Sequence, residues 1–294
     1  MIMFIYISFP YKVLKESIAV SLTEETGFLV TIDDLKPNFG LSVSMLGLNI
    51  RSTSGQVVKL QEITAGLNPF YLFLGKAKVY GVLQNSKNSY IKTDLSFSLL
   101  DFLGSNPAIL PSSVVVDAKD FTFDDIVSLL IQKIPLEQNT ALYLKPLFDK
   151  VKIKGKLSST IDIDLNRSDM SLSEGTVALD FKNFEILFDK SLQIPDQIFS
   201  KSHIAAVIKN SVFTIDNKSA LLAKNLSLIL AGKIALKSSI DKSLCDVNID
   251  LELRDELQNA IGSILQTIFS NKEEGKIKFL IKGPLSPKPT VEII

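Results

Sequence analysis

The sequence predicts a mainly β fold, a large curved and largely antiparallel sheet with about four or five short covering helices. Segments that alternate apolar and polar residues recur from Phe28 to the C-terminal residues, and clusters of Gly, Pro, Asn and Asp separate them. Apolar residues make up 46% of the chain, enough for an extended core.

The first element is helical. Pro10 suits a first helical turn, Leu14, Ile18 and Leu22 share a face, and Gly27 fits a left-handed stop. Strands are expected over Phe28–Leu35, where Phe28, Val30 and Ile32 share a face, over Leu41–Ile50, and over Val57–Ala65. Asn68 and Pro69 open a short helix ending at Gly75. Its residues Phe70, Tyr71, Leu72, Phe73 and Leu74 are apolar nearly all round, so burial is expected. Strands near Ala77–Leu83 and Tyr90–Leu99 complete this part.

The pattern breaks at Ser105-Asn106-Pro107 and Pro111. Thr122 can cap a helix carrying Ile126, Leu129, Leu130 and Ile134, which Pro135 ends, and Gln138–Phe148 reads as a connector. Beyond it, Val151, Ile153 and Leu157 alternate with Lys152, Lys154 and Lys156. Ile161, Ile163 and Leu165 then alternate with Asp162 and Asp164. Val177, Leu179 and Phe181 continue one face, followed by Phe184, Ile186 and Phe188. A turn at Ile194-Pro195 leads to a helix expected over Ile204–Ile208.

Strands are expected at Val212–Ile215, Leu226–Leu230, Ile234–Leu236 and Val247–Leu253, with Asn217, Gly232 and Asp241 in turns. Asp255 and Gln258 resemble a capping box for a helix whose Leu257, Ala260, Ile261, Ile264, Leu265, Ile268 and Phe269 share one face. After the polar run Asn271–Glu274, strands follow at Ile277–Ile281 and Val291–Ile294. The expected organisation is a short segment 1–9, a helix-plus-sheet part 10–104, a helical connector 105–150 and a sheet part 151–294 with an amphipathic helix at 255–270, all read as one continuous domain.

Charge excludes some function classes. Lys plus Arg equals Asp plus Glu at 32 each, so no net field draws the chain to nucleic acid. The one cysteine, Cys245, cannot form an intrachain disulfide and reads as a small buried hydrophobe. Met1–Phe9, MIMFIYISF, is uncharged and apolar but about half the length of a membrane span, so it reads as the last turns of an anchor or as a buried first element.

Catalytic patterns are scarce, and no enzyme activity, cofactor or metal is expected. The single histidine, His203, stands alone, and no nucleophile elbow, phosphate loop, Cys-x-x-Cys or His-Glu-x-x-His occurs. Asp33-Asp34 and Asp124-Asp125 sit at a strand end and a helix start, and Asp162 with Asp164 lacks a third ligand nearby in sequence. The apolar sheet face is therefore the expected working surface. It is either the core of a closed sandwich or an open groove, and a groove would gain about 0.8 kcal/mol for each buried acyl methylene. The expected lining is Val30, Ile32, Val43, Ile153 and Ile163, with Leu179, Phe181, Leu251 and Phe279.

The order of segments resembles a known family. Phe9-Pro10-Tyr11, the run Asp34-Leu35-Lys36-Pro37, Met45-Leu46-Gly47-Leu48, Leu67-Asn68-Pro69-Phe70 with Leu74-Gly75-Lys76, the strand pair Val151–Leu165, Gly232-Lys233-Ile234 and Gly283-Pro284-Leu285-Ser286 resemble type II secretion system protein N, GspN. That family is related to the AsmA-like periplasmic proteins. The resemblance implies a non-enzymatic protein anchored in the inner membrane of a Gram-negative bacterium and facing the periplasm. Implied partners are other secretion-system proteins or phospholipid, and no nucleic acid. An AsmA-like module moving phospholipid between membranes, and a hydrolase with spatially assembled carboxylates, are the alternative expectations.

Overall fold

The computed structural model describes residues 10–38, 41–52, 55, 57–86, 88–99, 110–124, 126–127, 129, 150–166, 168–269, 275–286 and 289–293. Met1–Phe9, Ser105-Asn106-Pro107, Asp125, Leu130, Ile134, Pro135, Gln138–Phe148 and Asn271–Glu274 lie outside the described residues, as do the side chains of Ile264, Leu265, Ile268 and Phe269. The fold is mainly β, and the described strands belong to one large antiparallel sheet of fifteen strands. The chain divides into two compact units, Met1–Phe121 and Thr122–Ile294.

The first unit contains helix α1 (Tyr11–Thr26) and strands β1 (Leu29–Asn38), β2 (Leu41–Arg51), β3 (Val57–Asn68), β4 (Lys76–Ser86), β5 (Ser89–Ser98) and β6 (Ser113–Thr122), each strand paired with the next. Gly27 ends α1 at φ 66°, and its N–H donates to the Thr23 carbonyl at 2.8 Å. Leu14, Ile18 and Leu22 are half-buried, whereas Val13 and Val20 face solvent. The helix also protects the sheet margin. The Val30 N–H donates to Thr23 Oγ1 at 3.1 Å and Lys15 Nζ donates to the Asp33 carbonyl at 3.2 Å, so α1 satisfies backbone groups of an edge strand.

Two expectations fail in this unit. The Ser113–Thr122 segment, expected inside a helical connector, is β6, because its Val114, Val115 and Val116 run favours a pleated surface over a helix. The apolar turn at Pro69–Leu74 is a 3₁₀ helix, and it is not buried: Phe70, Phe73 and Leu74 are 75%, 88% and 73% exposed.

The second unit contains β7 (Val151–Asp164), β8 (Glu174–Phe188), β9 (Gln197–Lys209), β10 (Val212–Ile215), β11 (Ala220–Ala223), β12 (Leu226–Ala235), β13 (Leu244–Leu253), helix α2 (Asp255–Phe269), β14 (Lys276–Pro284) and β15 (Thr290–Ile293). The helix expected over Ile204–Ile208 is part of β9. Its contiguous apolar run hides the alternation because Ala205 and Val207 occupy the polar side. Gly232, expected in a turn, lies inside β12, where a Cβ would sit 2.4 Å from the Asp246 carbonyl oxygen.

Irregularities in the ladders keep the faces in phase. At Gly155 the β7–β8 register shifts by one residue, and Asn183 on β8 takes φ 49°. The extra residue returns Phe184, Ile186 and Phe188 to the face of Phe181. A larger insertion separates β10 from β11, which share one position between β9 and β12. Asp216–Ser219 loops out there, and the fully buried Ser219 closes the gap: its Oγ accepts from Ala205 N–H at 2.9 Å and donates to the Ala205 carbonyl at 3.0 Å.

Buried serines recur in two connections that the sequence pattern does not reveal as a repeat. Ser173 Oγ accepts from Asn166 N–H at 3.0 Å, and Ser243 Oγ accepts from Lys237 N–H at 3.1 Å. In both, a three-residue 3₁₀ turn precedes the serine, Met170–Leu172 or Ile240–Lys242. Each serine thus closes its own connection before the next strand begins.

Two substitutions test these joints by chemical denaturation. Ser219→Ala leaves the Ala205 N–H without its partner inside the sheet and is expected to cost about 1–3 kcal/mol. Gly155→Val is expected to cost about 1–3 kcal/mol by overpacking, because a Cβ there lies 2.9 Å from Phe123 Cζ. An unchanged denaturation midpoint for either variant would contradict the assigned contact.

Candidate apolar binding face

Register sorts the second unit into rows. Ile161, Val177, Ala206, Ile215, Gly232, Val247, Ile281 and Val291 lie side by side across eight strands. A parallel row runs through Ile163, Gly175, Ile208, Phe213, Ile234, Cys245 and Gly283. Side chains at intervening positions point to the other face, which carries Asp162, Thr176, Val207, Thr214, Lys233, Asp246 and Lys282 in one row. The two faces therefore differ along these rows.

The expected lining residues of this unit fall on the apolar face. Leu251 lies in a row with Ser202, Leu221 and Leu228, Phe181 pairs with Leu157, Leu179 adjoins Ile204, and Phe279 adjoins Ile249. Ile153 faces Ile186. Ile153, Ile163, Leu179, Phe181, Leu251 and Phe279 are all half-buried. A sealed core would bring such side chains below solvent reach. Here these six keep partial access to it, whereas Ala206, Ile208, Cys245 and Val247 in the rows beside them are buried.

One end of that face is aromatic. Phe184 lies 4.5 Å from Phe199, 5.6 Å from Phe181 and 6.2 Å from Phe123, ring centre to ring centre, and Phe123 meets Phe181 edge-on at 5.9 Å. The rings gather over Gly155, whose N–H is held by Asp124 Oδ1 at 2.8 Å. Phe123 and Asp124 open the helical segment that carries Ile126 and Leu129. Sequence reading singled out Phe181 and continued the apolar face through Phe184, but missed Phe123 and Phe199, whose approach depends on other segments.

In the first unit the three expected residues separate. Val43 lies in the row Pro37, Val43, Ala65, Gly81, Thr93, Val116, which is mostly apolar and half-buried or exposed. Val30 and Ile32 have the opposite parity in β1. They align with Ile50 and Val58 and with Leu48 and Leu60, and are 4% and 7% exposed. Between the two groups Gly47 takes φ 62°, and a Cβ there would collide with the Asp33 carboxylate. Val30 and Ile32 thus belong to a largely buried cluster with Ile50, Val58, Leu48 and Leu60, separate from the Val43 row.

The polar face of the second unit holds the remaining candidates. His203 Nδ1 lies 2.7 Å from Asp180 Oδ1, with both side chains partly exposed. A carboxylate on Nδ1 is the arrangement that orients the imidazole of a serine triad, but the register neighbours of His203 are Asp180 and Ala220, and Ser158 lies one strand further away, beside Asp180. Asp162 and Asp164 are exposed opposite Thr176 and Glu174, and among the described residues no group of three or more His, Cys, Asp and Glu is placed to hold a metal ion. Asp33 and Asp34 also differ in setting: Asp34 pairs with Lys36 at 3.4 Å, whereas Asp33 lies over Gly47.

Lys150, Lys152, Lys190, Asp189, Leu187 and Phe188 line a half-open hollow of about 290 Å³ at the lysine-rich end of β7. Hydrogen bonds from Ser191 hold the Asp189 carboxyl below the usual carboxylate range, and the positive charges of Lys150 and Lys152 act in the same direction.

Cys245 supplies a test of access to the apolar face. It is 8% exposed, and burial pushes its thiol above the ordinary range, with the Asp246 charge adding to the effect. A disulfide-exchange reagent at neutral pH is expected to modify it only slowly in the folded protein and fully after unfolding. Immediate reaction of the native protein would contradict this burial. No family model, curated protein or solved structure matches the chain.

Proposed function

We propose that this chain is a non-enzymatic sheet protein whose apolar faces hold acyl chains, in a periplasmic, inner-membrane-associated setting of the kind that the resemblance to type II secretion system protein N implies. The observation that carries the binding reading is the half-buried state of Ile153, Ile163, Leu179, Phe181, Leu251 and Phe279 on one face. Apolar side chains that remain partly within solvent reach suit a ligand that buries methylenes at about 0.8 kcal/mol each and requires no directional partner. Flexible acyl chains meet that condition. The role in secretion rests on the order of glycines, prolines and apolar positions alone, and movement of phospholipid between membranes uses the same face.

The experiment is native mass spectrometry and solvent extraction of the purified full chain. Phospholipid is expected to accompany the protein. Leu179→Lys and Leu251→Lys place an ammonium group among the rows and are expected to reduce bound lipid about tenfold or more, with the circular dichroism spectrum retained. Lipid-free protein, or undiminished lipid in both variants, would sink the acyl-chain reading and leave a scaffold that contacts proteins.

A further inference from the structure

The turn between β3 and β4 presents an apolar surface that the sheet does not use. It is held in shape from both ends: Asn68 Oδ1 accepts from Phe70 N–H at 3.2 Å, Pro69 fixes the first helical position, and Gly75 at φ 69° returns its N–H to the Leu72 carbonyl at 3.1 Å. The Gly75 carbonyl in turn accepts from Leu99 N–H at 2.9 Å. Side chains three apart nearly eclipse in a 3₁₀ helix, so Phe70 and Phe73 project from the same side. They are 75% and 88% exposed, and Leu74 beside them is 73% exposed. An ordered turn with this much apolar surface in water marks a contact site.

The surroundings favour a membrane over a protein partner. The turn projects apolar side chains outward. Exposed Lys76 follows it, and Lys78 Nζ, which also pairs with Asp94 at 3.6 Å, lies 5.3 Å from the centre of the Tyr71 ring. Aromatic residues backed by lysine suit the boundary between acyl chains and headgroups. Chain direction adds an independent argument. The contacts of Thr23 with Val30 and of Lys15 with Asp33 show that α1 runs opposite to β1, so its start points toward the Lys36–Asn38 end of that strand. Leu41 of β2 pairs there with Leu67, which immediately precedes the turn. Pro10, at the start of α1, therefore lies toward the end that carries Phe70 and Phe73, and the residues before it in sequence are uncharged and apolar.

We propose that Phe70, Phe73 and Leu74 insert into the interface of an anionic lipid bilayer, as a membrane contact separate from the Met1–Phe9 stretch. This contact sets which end of the first unit meets the bilayer. It does not depend on acyl chains occupying the sheet faces.

The chain contains no tryptophan, so Phe73→Trp gives a reporter free of background. With full-length protein and vesicles of phosphatidylcholine and phosphatidylglycerol in equal parts, its emission is expected to shift to the blue and to be quenched by brominated lipid. Leu29→Trp, at the opposite end of β1, is expected to do neither. Replacing Phe70, Phe73 and Leu74 together by serine is expected to weaken vesicle binding about tenfold or more with the unfolding transition unchanged. Co-sedimentation with an unshifted Trp at position 73 would overturn the proposal, since another segment then holds the membrane. A blue shift without vesicles that grows with protein concentration would also overturn it, because a second copy would then cover the turn.

Discussion

Antiparallel pairing with a two-residue side-chain period is the constraint on which the rest of the molecule depends. A slip of one residue in any ladder would exchange the apolar and polar faces of that strand. The chain contains features that prevent such exchange where its pattern is interrupted. Asn183 absorbs one residue in β8 so that Phe181 and Phe184 stay together. The Asp216–Ser219 insertion absorbs two, and the β9–β11 register shifts again between Leu222 and Ala223. Ser219 makes that insertion tolerable because its one hydroxyl serves both backbone groups of Ala205.

Much of the sheet was legible because alternation directly reflects the pleat. Lys152, Lys154 and Lys156 announce the solvent side of β7, and Gly27 and Gly75 announce the ends of α1 and the 3₁₀ turn. Alternation is silent where both faces take apolar residues. Ile204–Ile208 therefore resembled a helix, although it pairs with β8 and β10. Gly232 looked like a turn residue for a related reason. Its role is the close approach of β13, the next strand, which the residues around Gly232 do not report by themselves.

The candidate face was legible in the second unit and only partly in the first. Ile163, Leu179, Phe181, Leu251 and Phe279 follow from period two once each strand is recognised. Val30 and Ile32 also alternate correctly, but they pair with Ile50 and Leu48 in a largely buried cluster, and local pattern does not report which part of a sheet a helix will cover. Exposure was least legible of all. A run of Phe, Tyr and Leu reads as core, yet the caps at Asn68 and Gly75 hold it beyond the strands that would have covered it.

The shielding of β1 by α1 gives strand addition a direction. A newcomer at that margin would first have to strip the Thr23 hydroxyl from the Val30 amide and the Lys15 ammonium from the Asp33 carbonyl. Recruitment of a foreign strand is thereby opposed at one border by a covalently attached competitor, whose local concentration does not fall on dilution. Polymerisation through that border is handicapped without any charged residue having to point inward.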